Sequence, residues 1–271
     1  MVHAMEDLSH AGPEYQGLPS WRRPPNSAAS IEAQIRDDVR GECPRLRVHV
    51  QEGDATSVIL ETIDREACDL VVLGLGRQRP FGWPPTSKTI DQLFRQSPVS
   101  VLVVKRRPNG PYAHILVGTD FSDEARFGLE VAAASFPEAT FAVMHAFDIP
   151  YRSLLLDTPL SRDFGEMERA TLAEFIAEAK LPDDVRSHIV PLIEHGPPEA
   201  MLSAYAIERG ADLTVIGAYE RSRLFHAVVR GFGPRIVEVV PNDVLVVRAQ
   251  RTSALDAAAE NGDDPRSVAF N

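Results

Sequence analysis

A long internal repeat constrains this chain more than any other feature of its sequence. Gly53, Cys68-Asp69-Leu70-Val71-Val72-Leu73-Gly74, Pro98 and Val101-Leu102-Val103-Val104 recur as Gly196, Ala211-Asp212-Leu213-Thr214-Val215-Ile216-Gly217, Pro241 and Val244-Leu245-Val246-Val247. The offset holds throughout: 196 − 53, 212 − 69, 217 − 74 and 247 − 104 all equal 143. A period of that length is a duplicated domain, not a solenoid unit. Val2-His3-Ala4 continues the match to Met144-His145-Ala146 at an offset of 142. Ahead of that point the second copy carries His114–Asp120 and a helical stretch to Ala134, for which the first copy has no counterpart. The expectation is a reading frame that starts upstream and supplies about 30–40 more residues, judged from the repeat alignment. The fallback is an incomplete first domain whose orphaned second and fourth strands pair with each other or with another chain.

The domains expected are 1–107, lacking its first strand and helix, and a complete copy at 111–250, followed by a disordered tail at 251–271 rich in Ala, Asn, Gly and Asp. In the complete copy His114–Thr119 is a short apolar run, read as a buried strand. Ser122-Asp123-Glu124 is a helix start, with a capping hydroxyl and first-turn acids. Strands are expected at Thr140–Ala146, Ser187–Ile193, Leu213–Ile216 and Val244–Val247. Helices are expected at Ser161–Ala179 and Glu199–Glu208, with a helix end at Ile236–Val240. Strands alternating with helices give a doubly wound parallel α/β sheet, whose ligands sit beyond the strand carboxyl ends where strand order reverses.

Composition narrows the function. A net charge of −11, with no Lys/Arg cluster beyond Arg22-Arg23 and Lys105-Arg106-Arg107, argues against a nucleic-acid partner. Two cysteines, Cys43 and Cys68, form no CxxC pair and suit a reducing compartment; Cys68 reads as a small buried hydrophobe. No apolar run approaches the roughly 20 residues of a membrane span, and the N-terminal residues lack a signal-peptide pattern, so no membrane partner and a cytoplasmic location are expected. There is no GxSxG, HExxH or GxxxxGK[ST] motif and no zinc-type spacing.

Ile115-Leu116-Val117-Gly118-Thr119-Asp120-Phe121-Ser122 resembles the opening strand of a universal stress protein. Asp212–Gly217 resembles its fourth strand, and Arg221-Ser222 with Pro241-Asn242-Asp243-Val244-Leu245-Val246-Val247 its loop and closing strand. The resemblance covers about 111–248 fully and 1–107 in part; it lies in order and spacing rather than in any single piece. It implies a five-stranded sheet in the order 3-2-1-4-5, of the adenine nucleotide alpha hydrolase type. It also implies internal pairing of the two domains through their last strands, Val101–Val104 and Val244–Val247, and allows a homodimer.

ATP-binding members of that family carry G-x2-G-x9-G-[ST], whose glycines let the backbone approach phosphates while helix N-terminal N–H groups hold the anion. Here the pattern is degenerate. In the second copy Gly217 matches, Glu220 stands at the second glycine, Arg230 at the third and Gly231 at the hydroxyl. A one-residue slip makes Gly231 the third glycine and puts Phe232 at the hydroxyl. In the first copy Gly74 matches, Arg77 replaces the second glycine, and Ser87-Lys88 replace Gly-[ST]. Glu220 sets a negative charge where phosphates would lie.

The cofactor-binding residues implied are Thr119, Asp120, Ala146, Gly217, Arg221, Gly231 and Gly233. The ligand would be ATP or AMP, with Mg²⁺ if bound. Each has a plainer alternative. Asp120 reads equally as a turn acid before Ser122, Arg221 as a solvated loop residue rather than a bidentate phosphate grip, and Gly231 and Gly233 as turn glycines before a Pro234 helix entry. His145 and His195 end strands and read as pocket residues or hydrogen-bonded structural ones; Lys88 reads as a phosphate contact or a solvated helix start. The function expected is that of a non-enzymatic stress-response protein with a weak adenine-nucleotide site in the second domain. The rival is an adenine-nucleotide hydrolase or ligase, with Asp120 and Glu220 bridged by Mg²⁺.

Overall fold

The structure is a computed structural model that describes residues 1–5, 27–39, 45–75, 88–147, 159–218 and 232–249. The expected tail at 251–271 lies outside the described residues. By compactness the chain divides into Met1–Val71 with Ser87–Ser97, and Val72–Thr86 with Pro98–Asn271.

The smaller unit contains β1 (Val2–Met5), α1 (Ala28–Asp38), β2 (His49–Glu52), α2 (Ala55–Glu66) and α3 (Lys88–Gln96). β1 and β2 pair in parallel from Val2↔His49 to Met5↔Glu52. A parallel pair needs a crossover, which the α1 segment supplies. Asp54 starts α2 by accepting the Ser57 N–H at 3.1 Å. Ile31, Val58, Ile63, Ile90 and Leu93 are buried. Lys88 is an exposed helix start. Cys68 is half-buried rather than buried, because it sits just beyond the left-handed Ala67 that ends α2.

Seven strands form one sheet, ordered β3-β4-β9-β8-β5-β6-β7, and all but Leu70 and Val71 of β3 fall in the larger unit. The strands are β3 (Leu70–Gly74), β4 (Ser100–Val104), β5 (His114–Thr119), β6 (Thr140–Phe147), β7 (Val190–His195), β8 (Leu213–Gly217) and β9 (Asp243–Val247). The second repeat contributes β7-β6-β5-β8-β9, which is the order 3-2-1-4-5, and its neighbouring strands are parallel. Among the described residues, β1 pairs with β2 and β3 with β4, and β1 and β3 do not pair with each other. Each finds its own sequence neighbour, at a lower loop-closure cost than a remote partner.

α4 (Asp123–Ser135) begins as its sequence dictates, with Ser122 Oγ accepting the Ala125 N–H at 3.1 Å and two acids in the first turn. Its Ala125, Leu129, Ala132 and Ala133 bury against Ile115, Val117, Leu213 and Val215. α5 (Pro159–Glu178) adds Leu172 and Phe175 to that core. One expected boundary moves. Asp183–Ser187 forms a short helix, α6, and the third strand starts at Val190 instead of Ser187. Two first-turn acids favour a helix there, and buried Val185 packs it on the core. α7 (Pro198–Arg209) and α8 (Phe232–Val239) complete the unit.

The repeats meet where β4 and β9 pair antiparallel: Val101↔Val246, Leu102↔Leu245 and Val103↔Val244. Leu102 and Leu245 are the same repeat position (245 − 102 = 143), so a local two-fold passes between them. The end contacts obey it too. Lys105 N donates to Asp243 Oδ1 at 2.7 Å, and Arg248 N donates to Ser100 Oγ at 3.1 Å. The chemistry at the two ends differs. Asp243, 6% exposed, also accepts from Arg106 N at 3.3 Å and Tyr112 Oη at 2.7 Å. Lys105 Nζ donates to the Val240 carbonyl. Burial lowers the Lys105 pKa to about 8 against the opposing pull of Asp243. Burial, then the bond to Asp243, raises that of Tyr112.

Candidate functional site

The cleft lies at the carboxyl ends of β5, β6 and β8, where the sheet's connections diverge to either side of β5. It encloses about 100 Å³. Thr119 and Asp120 come from the end of β5, Met144, His145 and Ala146 from β6, and Ile216 and Gly217 from β8. Ala125 enters from the first turn of α4, and Pro198 and Leu202 from α7. Four residues expected from the sequence thus converge: Thr119, Asp120, Ala146 and Gly217. Gly233 is the second residue of α8. Arg221, Gly231 and Glu220 lie outside the described residues. Met144, Pro198 and Leu202 were not expected; the legible signal was Pro198, a helix-opening proline directly after strand three.

The turn after β5 shapes the mouth. Phe121 has a φ of +64°, a left-handed conformation that costs a bulky residue about 1–2 kcal/mol. Three contacts hold it. Its N–H donates to Thr119 Oγ1 at 2.9 Å, its ring stacks on His145 with centroids 4.1 Å apart, and it packs edge-to-face with Phe175 at a centroid separation of 5.9 Å. The turn leaves Asp120 exposed beside the cleft, its Oδ1 accepting from Ser122 N at 3.1 Å and Ser122 Oγ at 2.5 Å. Asp120 is therefore a turn acid through one oxygen, while Oδ2 has no partner among the described residues.

His145 is fixed in the wall. Its Nδ1 donates to the Thr119 carbonyl at 2.8 Å, which leaves Nε2 3.6 Å from Glu168 Oε2. His195 ends β7 opposite Phe147 and does not line the cleft.

Gly217 is explained by packing. A Cβ there would stand 2.5 Å from Glu124 C and 2.6 Å from Ala125 N and Glu124 O. Only a glycine lets the start of α4 lie this close to β8. Gly74, its equivalent, has nothing within 4 Å.

Chemically, the wall is apolar (Met144, Leu202, Ile216), with a carboxylate at the mouth and strand-end backbone around it. Such a lining offers apolar contact inside and a hydrogen-bond acceptor at the mouth. Among the described residues, no three His, Cys, Asp or Glu gather to hold a metal, and no helix is long and apolar enough to cross a membrane.

The model of the universal stress protein family matches residues 1–105 and again 111–248. Among solved structures, a candidate universal stress protein of Pseudomonas aeruginosa UCBPP-PA14 is 21% identical, covering 84% of this chain and 80% of its own, with a TM-score of 0.61. A universal stress protein of Archaeoglobus fulgidus DSM 4304 is 17% identical, covering 82% of this chain and 77% of its own, with a TM-score of 0.55. A universal stress protein in complex with cAMP is 23% identical over 51% of this chain and 98% of its own, with a TM-score of 0.39. No curated protein matches in sequence.

Proposed function

The chain belongs to the universal stress protein family, and we propose that it is a non-enzymatic stress-response protein that senses an adenine nucleotide, ATP or AMP, in its second repeat. The observation that carries this reading is the convergence of Thr119, Asp120, Ala146 and Gly217 on one cleft at the strand ends. The base would enter the apolar wall of Met144, Leu202 and Ile216, and the ribose hydroxyls would meet the open Oδ2 of Asp120. The described cleft, about 100 Å³, is smaller than the roughly 300–1,000 Å³ of whole-ligand pockets, so on this reading it would hold only part of the nucleotide. Arg221, Gly231 and Gly233 remain the phosphate-binding residues proposed from the sequence, and of these Gly233 is among the described residues. With Asp120 the acid at the mouth, Mg²⁺ would offset the charge when a triphosphate binds.

Both last strands are already paired on each side, β4 by β3 and β9, and β9 by β8 and β4. A homodimer would therefore use another surface. We place the protein in the cytoplasm, with protein rather than nucleic-acid partners.

The test is calorimetric titration of the full chain with ATP and AMP, with and without Mg²⁺, beside Asp120→Ala. Micromolar binding that weakens at least tenfold in the variant supports a nucleotide sensor. Absence of binding moves the function to the protein's outer surfaces, and release of phosphate or ADP at a turnover rate favours the hydrolase reading.

A further inference from the structure

Lysine is scarce in this chain. There are three, Lys88, Lys105 and Lys180, and 25 arginines (28 − 3 = 25). Lys88 and Lys180 are exposed, whereas Lys105 is half-buried. The equivalent position of the second repeat, 105 + 143 = 248, holds an arginine. An arginine stays charged in any protein setting, while a lysine gives up its proton where burial withdraws water from it. Of the two equivalent positions, only Lys105 carries an amine that can become a nucleophile.

The surroundings of Lys105 accommodate a neutral nitrogen. Its Nζ donates to the Val240 carbonyl, an uncharged acceptor, and Val240 is 0% exposed. Asp243 accepts from Lys105 N, Arg106 N and Tyr112 Oη, so these three bonds survive loss of the side-chain charge. Burial lowers the Lys105 pKa to about 8, against the pull of Asp243 and with the push of Arg106. At about pH 7.5 roughly a quarter of such an amine is neutral, against about one part in a thousand of an ordinary lysine. The chain continues from Lys105 into exposed residues 106–111, so the amine stands at the border between core and solvent.

We propose that Lys105 is an acylation site, whose Nζ takes an acyl group directly from an activated donor, an acyl phosphate or an acyl thioester. The Nζ lone pair attacks the donor's carbonyl carbon and a C–N bond forms. The bond from that carbon to the phosphate oxygen or thiol sulfur breaks, phosphate or thiolate leaves with the electron pair, and the nitrogen loses one proton to solvent. The product suits the place. An amide is neutral, as burial favours, and it keeps one N–H to donate to Val240. The other common products of a lysine amine fit less well: a carbamate sets a second negative charge beside Asp243, and an imine has no N–H left for the Val240 carbonyl. Acylation takes a positive charge off the junction between the repeats and leaves the bonds of Asp243 to the segment that joins them.

The test treats the full-length chain with acetyl phosphate in one arm and with acetyl-coenzyme A in the other. Digestion and mass spectrometry then give initial rates at each lysine, with exposed Lys88 and Lys180 as internal references. At about pH 7.5 Lys105 should react at least roughly tenfold faster than Lys180 with one or both donors: its neutral fraction is about two hundred times that of an ordinary lysine, and part of that gain is returned because a less basic nucleophile attacks more slowly. The preference should vanish in concentrated urea, and the Lys105 rate should rise with pH and flatten above about 8. Reaction with only one donor identifies the acyl source and supports the proposal. It is overturned if Lys105 reacts no faster than Lys180 with either donor, if the preference persists in the unfolded chain, or if the Lys105 rate climbs through pH 8 without flattening.

Discussion

Substituting alanine at the two equivalent glycines separates packing from ligand binding as the reason for Gly217. In Gly217→Ala the new methyl would stand 2.5–2.6 Å from backbone atoms of Glu124 and Ala125. Ordinary contact needs about 3.5 Å or more, so α4 must retreat from β8 by roughly 1 Å. That retreat loosens Ala125 and Leu129, both buried in the core. Overpacking costs about 1–3 kcal/mol, and the obstacle here is main chain that cannot rotate away, so the upper end applies. Removing a glycine returns about 0.5–1 kcal/mol through the unfolded chain. The net loss expected is about 2 kcal/mol. Gly74→Ala meets open space and gains that same small entropic term. Urea midpoints of the two variants against the parent measure the difference directly, and hydrogen exchange over 123–135 locates it. Equal stability of the two variants would refute the steric account and leave close approach of a ligand as the reason for Gly217.

Asp243→Ala should cost about 3 kcal/mol or more in urea unfolding, because three donors, Lys105 N, Arg106 N and Tyr112 Oη, lose a buried acceptor. The same cluster sets a pH dependence. The Lys105 pKa is lowered to about 8, so its unfolded form takes the proton first as pH falls, and the stability it contributes rises between about pH 8 and 10.5. Tyr112 is raised above its ordinary 10.0, so its contribution is lost as pH climbs past 10. Melting temperatures of parent and Lys105→Met should therefore diverge between pH 8 and 10; parallel curves would contradict this. Ala67→Gly should stabilise the chain by about 1 kcal/mol, since Ala67 ends α2 at φ +49° where the equivalent Gly210 has φ +66°; thermal unfolding checks it.

Much of this fold was legible because a duplicated sequence reports each position twice. Leu213–Gly217 and Val244–Val247 read as strands from their unbroken apolar runs, and Ser122 announced its own helix. The α6 helix was missed because five residues give no readable period, and its acids and proline suit a loop equally well. The cleft was half legible. Thr119, Asp120 and Gly217 follow from their place at strand ends. Leu202 and Met144 carry no local sign, since an apolar residue facing a ligand looks like one facing the core. Phe121 was invisible for another reason: nothing in an aromatic side chain foretells a left-handed backbone, which here depends on stacking with His145 and Phe175, residues distant in sequence.

The sequence repeat and the compact units do not share a boundary, and strand edges explain why. β9 has every residue from Asp243 to Val247 buried, which an edge strand could not achieve. That burial depends on β4, the last strand of the first repeat, pairing along its outer side. With β4 committed there, β3 follows it, because a strand left without its neighbour exposes a whole row of backbone groups. The first repeat therefore gives its last two strands to the sheet of the second. The local two-fold between Leu102 and Leu245 preserves the geometry of equal partners, while the polar groups around it have diverged. Asp243 binds the segment that joins the repeats through Lys105, Arg106 and Tyr112, whereas its equivalent Ser100 receives the Arg248 N–H. The segment between the repeats is thus anchored at one end of the junction by a buried carboxylate. Losing that carboxylate should loosen residues 105–112 before it disturbs the cleft, which lies at the carboxyl ends of β5, β6 and β8.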